Sequence, residues 1–272
     1  MNKVYAGPSI KILQQLQNEC VDMIYIDPPF GTGDVQCSNR KLAGKVISKI
    51  EYNDKHPDYL DFLRCHLGEL YRVLKQTGTM YLHLDYRWVH YAKVICDEIF
   101  GYDNFLNEIV WSYNFGGRGK SSFPAKHDNI LVYAKNKGQH IFNYDEIDRI
   151  PYKAPEMQSV GRTKEDAMKR VALGQIPTDV WEMSIVGTNA KERVGYPSQK
   201  PVKLIKRCIV ASSPKNGLIL DCFAGSGTTG QAALSCGRNF ILIDQSPESI
   251  SVIKKRFALI QNITFISESQ IQ

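Results

Sequence analysis

Apolar and polar positions follow two periods along the chain. Short runs, Val4-Tyr5-Ala6, Val21–Ile26, Thr79–Leu84, Leu218–Asp221 and Phe240–Asp244, are almost wholly apolar, the pattern of strands covered on both faces. Between them lie stretches with a helical period. Ser9–Asn18 carries Ile10, Leu13 and Leu16 on one face. Pro57-Asp58 opens a second helix that runs to about Lys75, with Leu60, Leu63, Leu67, Leu70 and Leu74 aligned and Thr77-Gly78 as its stop. Tyr86–Phe100, Pro201–Ser212, Thr228–Cys236 and Pro247–Leu259 are further helices, and Asp179–Ile185 and Ile263–Ile266 are weaker strand candidates. Glu108–Tyr113 and Asn129–Tyr133 have no helix between them, which predicts antiparallel neighbours at one edge. Alternation of this kind predicts one α/β domain, Rossmann-like, with a mostly parallel sheet.

Two segments break the pattern. Residues 31–55 show no clear period and are expected to form a long, polar, mobile loop; residues 138–178 lose periodicity, gain charge and are expected to be an appended insert. The insert divides the domain into a first half, 1–137, and a second, 179–272. The 272 residues suffice for a substantial core, and 43% hydrophobic content is that of an ordinary globular protein. No apolar run is long enough to span a membrane, and Met1–Tyr5 lack the apolar core of a signal peptide. Seven scattered cysteines without a C-x-x-C pair indicate neither a metal site nor a disulfide framework, but the reduced thiols of a cytoplasmic protein. The net charge of +6 is uneven: residues 111–210 hold 17 Lys and Arg against 10 Asp and Glu, and Arg40, Lys41, Lys45 and Lys49 face only Asp34 between 31 and 50. Such basic stretches suit a polyanion such as nucleic acid, or else a solvated surface.

Asp27-Pro28-Pro29-Phe30 follows the strand Val21–Ile26 directly. A carboxylate at a strand tip, two prolines that remove backbone N–H groups and fix the carbonyls, and an aromatic ring suit a flat partner carrying an amino group. A plain strand-to-loop turn uses the same residue types. The second signature is Asp221-Cys222-Phe223-Ala224-Gly225-Ser226-Gly227-Thr228-Thr229-Gly230, with Asp244 closing the next strand 19 residues after Gly225. G-x-G-x-x-G between strand and helix is the layout of a dinucleotide-binding dehydrogenase. Asp221 counts against a phosphate there and welcomes an ammonium group, and a dehydrogenase gives no reason for the Asp-Pro-Pro-Phe corner. A ligand with adenosine at one end and an amino acid at the other, S-adenosylmethionine, suits Asp244 at its ribose and Asp221 at its amine.

These two signatures, with Tyr196-Pro197-Ser198-Gln199-Lys200-Pro201 shortly before the glycine loop, resemble the amino-methylating DNA methyltransferases. Catalytic tetrapeptide first and cofactor loop last is the permuted order of the beta group, and Asn107–Trp111 and His127–Lys135 are similar to that group as well. The resemblance covers the chain except 31–55 and 138–178. It implies a Rossmann-like S-adenosylmethionine methyltransferase fold: a mostly parallel seven-stranded sheet with an antiparallel edge. It implies Asp27, Pro28, Pro29 and Phe30 as catalytic residues. Asp221, Phe223, Ala224, Gly225, Gly227, Thr228, Thr229, Asp244, Ser198 and Lys200 would bind cofactor, with no metal. Arg40, Lys41, Lys45, Arg118 and Lys120 are candidate contacts to double-stranded DNA, and target recognition would fall to 138–178 and 31–55.

The family's Asp-Pro-Phe is Asp221-Cys222-Phe223 in this chain, Tyr196 replaces a His, Asp244 a Glu, and Gly7-Pro8-Ser9 stands where Gly-Asp is common. In the resembled family Asp in the first position of the tetrapeptide goes mostly with adenine N6 and Ser with cytosine N4, so adenine is expected and cytosine is the alternative. Asn there accompanies RNA or protein amide methylation, and a non-catalytic DNA-binding protein leaves the catalytic elements unexplained. The resemblance places the chain in the cytoplasm of a bacterial or phage-infected cell and leaves open a homodimer and a cognate restriction endonuclease.

Overall fold

Only a sheet covered on both faces shields every residue of a continuous apolar run, and the runs of this chain form one nine-stranded sheet. The structure, a computed structural model, describes residues 2–29, 58–115, 119–151 and 163–270, and the backbone alone of 35–42 and 45–53. The first half contains β1 (Asn2–Ala6), α1 (Ser9–Leu13), β2 (Val21–Ile26), β3 (Val35–Leu42), β4 (Lys45–Asn53), α2 (Tyr59–Val73) and β5 (Leu74–Leu84). There follow α3 (Val89–Phe100), β6 (Phe105–Ser112), β7 (His127–Ala134), α4 (Lys164–Leu173) and β8 (Val180–Glu182). The chain ends with α5 (Val202–Ser212), β9 (Leu218–Asp221), α6 (Thr228–Ser235), β10 (Asn239–Asp244), α7 (Pro247–Arg256) and β11 (Ile263–Ser267).

The order across the sheet is β11-β1-β10-β9-β2-β5-β7-β6-β8. Every pairing is parallel except those of β7 with β5 and β6, so the expected antiparallel pair is present. The sheet exceeds the expected seven strands by β11 at one margin and β8 at the other. Both are short, and β11 buries none of its residues fully, which is why their sequences carry only a weak strand pattern. Residues 31–55, expected as a loop, contain the antiparallel hairpin β3–β4, with Val35 opposite Asn53 and Leu42 opposite Lys45. Val46-Ile47 within it breaks the two-residue alternation by which a strand is read from sequence. Helix α2 passes directly into β5, and Thr77-Gly78 sits in a bulge where the register jumps from Val21–Leu74 to Met23–Thr79.

Successive strand residues face opposite layers. Ile24, Ile26, Leu82, Leu220 and Ile243 pack under α1, α2 and α3. Met23, Tyr25, Tyr81, Ile219 and Leu242 pack under α5, α6 and α7. Asp22, the polar residue inside β2, accepts from Lys75 Nζ at 2.7 Å and from Leu218 N–H at 2.8 Å, tying β9 to β2. The chain leaves β9 through α6 toward β10 and leaves β2 through α2 toward β5, over opposite faces, so a crevice opens between the two strand tips. The first part of the 138–178 stretch is fastened to α5. Asn143 Nδ2 donates to the carbonyls of Val210 and Ser213, and Arg207 donates to both carboxylate oxygens of Asp148. Helix α4 buries no residue. Among the described residues no helix is long and apolar enough to cross a membrane.

Glycine serves packing at Gly230, where a Cβ would stand 2.9 Å from Leu242 Cδ1 and 3.0 Å from Phe257 Cζ, both in the core. Gly230→Ala should therefore cost about 1–3 kcal/mol through overpacking. Gly68→Ala, on exposed α2 surface with open space around it, should add about 0.5–1 kcal/mol by helix propensity. Urea unfolding midpoints of the two variants should move in opposite directions.

Candidate active site

Parallel pairing brings three carboxylates to one edge. Ile24 of β2 lies opposite Leu220 of β9, and Asp221 lies opposite Leu242 of β10, so Asp27, Asp221 and Asp244 emerge together. All three line one cavity of about 580 Å³, a volume typical of small-ligand sites. Pro28, Pro29, Ser198, Lys200, Phe223, Ala224, Gly225, Thr228 and Thr229 line it too.

Asp27 Oδ2 accepts from Lys200 Nζ at 2.5 Å, while Oδ1 is shut off from water and has no partner among the described residues. Pro28 is buried and Pro29 half-buried; Phe30 lies outside the described residues. Lys200 reaches Asp27 from a braced strap. Gln199 Oε1 accepts from Val194 N–H at 3.0 Å, its Nε2 donates to the Glu192 carbonyl at 2.8 Å, and Glu192 Oε2 accepts from Val202 N–H at the start of α5. Ser198, at a left-handed φ of 50°, is the exposed corner of that strap.

The glycine loop is fastened on every side. Asp221 accepts from Phe223 N–H at 3.0 Å and from Thr229 Oγ1 at 2.5 Å; Asp244 accepts from Gly225 N–H at 2.7 Å and from Ser246 N–H at 2.9 Å. Ser249 Oγ donates to the Gly225 carbonyl and Arg256 Nε to the Ser226 carbonyl. Gly225 and Gly227 have φ of 48° and 75°, and a Cβ on Gly225 would press on the Tyr196 ring at 3.1 Å. Gly227 shapes the turn into α6 and does not line the cavity. Burial raises the Asp221 carboxyl to about 7 against its two hydrogen bonds, with the charges of Asp27 and Asp244 adding to the rise. Burial raises Asp244 as well.

Phe62, His66, Ser9 and Tyr25 are among the cavity residues that a reading of the sequence does not single out. Phe62, His66 and Phe223 pack ring on ring, with centroids 4.3–5.7 Å apart, and Ser9 Oγ is hydrogen-bonded to His66 Nε2 at 2.8 Å. His66 sits among the leucines on the buried face of α2, and that polar interruption was the available signal. Tyr25, on the cavity wall, is hydrogen-bonded to His83 Nδ1; His83 Nε2 faces Asp128 at 3.2 Å, which also accepts from Tyr113. Of the basic candidates, Lys120 is exposed on the connection between β6 and β7, which the strand registers place on the same sheet edge as Asp27. Arg118 lies outside the described residues, and the backbone at Arg40, Lys41 and Lys45 lies toward the turn end of the β3–β4 hairpin. Among the described residues no group of three or more His, Cys, Asp or Glu is placed to hold a metal.

Residues 21–255 match the DNA methylase family of N6 and N4 amino-methyltransferases, and the chain belongs to that family. It is a DNA methyltransferase of the class that modifies adenine N6 or cytosine N4. It is 33% identical over 254 residues to the type II methyltransferase M.HpaI of Haemophilus parainfluenzae, covering 93% of this chain and 73% of the relative. It is 29% identical to the DNA adenine methyltransferase YhdJ of Escherichia coli K12, over 92% of this chain and 80% of that one. The fold is similar to that of the cytosine-N4-specific PvuII DNA methyltransferase, at a TM-score of 0.69 and 18% identity, covering 100% of this chain and 90% of that chain.

The raised Asp221 carboxyl has a consequence for stability. Between 3.8 and about 7 the native protein keeps a proton that the unfolded chain has released, so this group's contribution falls as pH rises through that window and is constant above it. The stability of the wild type relative to Asp221→Asn should decline from pH 5 to 7 and level off above, measured by urea unfolding without ligand.

Proposed function

We propose that the protein methylates the N6 amino group of adenine in double-stranded DNA, with S-adenosylmethionine as methyl donor. The observation that carries this reading is the buried Asp27 Oδ1, without a partner among the described residues, on the same cavity as the glycine loop. An orphaned carboxylate oxygen is costly unless a donor arrives during function. A base amino group brings two N–H donors; Asp27 Oδ1 accepts one and the Pro28 carbonyl the other. Accepting both draws the nitrogen lone pair out of conjugation with the ring and leaves it free to attack.

The residues suit the cofactor. The cavity has the right size, Asp221 favours a cation, Gly225 leaves room for close approach, and Asp244 offers a half-buried carboxylate for a ribose diol. When bound, S-adenosylmethionine supplies an electrophilic methyl group on a sulfonium. Positioning and fixed dipoles then provide the acceleration. The amino group is inaccessible inside a base stack, so the target base must be flipped out of the duplex to reach Asp27. Lys120, the β3–β4 hairpin and residues 138–178 are assigned to DNA contact and target recognition.

Adenine is favoured because Asp occupies the first position of the tetrapeptide and because a relative 29% identical is an adenine methyltransferase. Cytosine N4 is the second reading, since its amino group presents the same two donors. In Asp27→Ala, methyl transfer to DNA should fall at least about 100-fold, while S-adenosylmethionine affinity by calorimetry stays at the wild-type value. Retained turnover would remove Asp27 from the reaction.

A further inference from the structure

Lys200 belongs to the strap that the family resemblance assigns to cofactor binding, yet its ammonium is committed to Asp27. Nζ lies 2.5 Å from Asp27 Oδ2, and only 8% of the lysine side chain is exposed. A second anion lies within its field. Burial alone would raise the Asp128 carboxyl, and the His83 hydrogen bond together with the Lys200 charge holds it below the ordinary carboxylate range. The strap that carries Lys200 is braced through Gln199 and Glu192 to its own backbone and to the first turn of α5. The ammonium is thus delivered to Asp27 by a rigid mount, as precise positioning requires.

We infer that Lys200 is a positioning residue for the acceptor carboxylate: it clamps Asp27 Oδ2, so that Oδ1 alone is presented to the amino group of the target base. The terminal torsion of an aspartate is broad, so without a clamp the carboxylate plane turns and the acceptor direction is lost. With Oδ2 engaged, one N–H of the base goes to Oδ1 and the other to the Pro28 carbonyl, and the two acceptors are fixed relative to each other. Oδ1 is buried without a partner among the described residues, so the arriving base satisfies it. This deepens the function proposed above and rests on the role given there to Asp27.

Lys200→Met, Lys200→Arg, Asp27→Asn and the double variant Lys200→Met/Asp27→Asn test the inference. Lys200→Met should lower kcat about 100-fold with S-adenosylmethionine affinity unchanged, Lys200→Arg should recover part of the loss, and the double variant should be no slower than Asp27→Asn alone. In the unfolding of cofactor-free protein, Lys200→Met leaves a buried carboxylate unpaired, so adding Asp27→Asn should restore stability. That comparison keeps the test informative if Lys200→Met folds poorly. The inference is overturned if Lys200→Met weakens cofactor binding about tenfold or more and leaves kcat at saturation intact, or if the stability effects are simply additive. A wild-type protein that transfers no methyl to DNA would instead refute the proposed function, and the unfolding cycle would still report on the ion pair.

Discussion

Parallel pairing of β2 with β9 is the contact on which the site depends. Paired residues of these strands lie 196 positions apart in sequence, and their alignment brings Asp27 and Asp221 to one sheet edge on neighbouring strands. The register is secured away from the cavity, where Asp22 bonds the first N–H of β9. A slip of one residue would turn every apolar side chain of β2 to the wrong layer, so the packing that stabilises the sheet also fixes the distance between the proposed methyl acceptor and donor sites. Because the connections leave these two strands over opposite faces, the space between their tips stays open.

Placing three carboxylates at that opening is electrostatically unfavourable, and the surroundings offset it in different ways. Asp27 has the Lys200 ammonium, Asp244 has the backbone N–H groups of Gly225 and Ser246, and Asp221 has a hydroxyl and a backbone N–H but remains raised. The least compensated group is the one nearest to where a cationic ligand would be welcome. The glycine loop could not adopt its path with larger residues: Gly225 and Gly227 take left-handed backbone, and Gly230 lets α6 approach the sheet.

Much of this was legible in the sequence because buried parallel strands are written as uninterrupted apolar runs. Asp27 and Asp221 each end such a run, so the sequence alone predicts both strand tips at one edge. What was not legible depends on long-range contact. Lys200 reads as part of a cofactor strap, and nothing in its neighbours in sequence points to a carboxylate 173 residues away. His66 looks like an irregularity in an apolar helix face until Ser9 and Phe223 are brought against it. The hairpin β3–β4 lacks clean alternation, and the marginal strands β8 and β11 are too short or too exposed to write a strong pattern. Helix α1 ends at Leu13, although the helical period of Ser9–Asn18 continues past it.

The central claim is that this sheet edge activates the exocyclic amino group of adenine toward a methyl donor. The most direct measurement incubates the protein with duplex DNA and isotopically labelled S-adenosylmethionine, digests the DNA to nucleosides and identifies the labelled product by mass spectrometry. The account predicts label in N6-methyldeoxyadenosine. Label in N4-methyldeoxycytidine would contradict the adenine assignment, and DNA left unlabelled would contradict the activity itself.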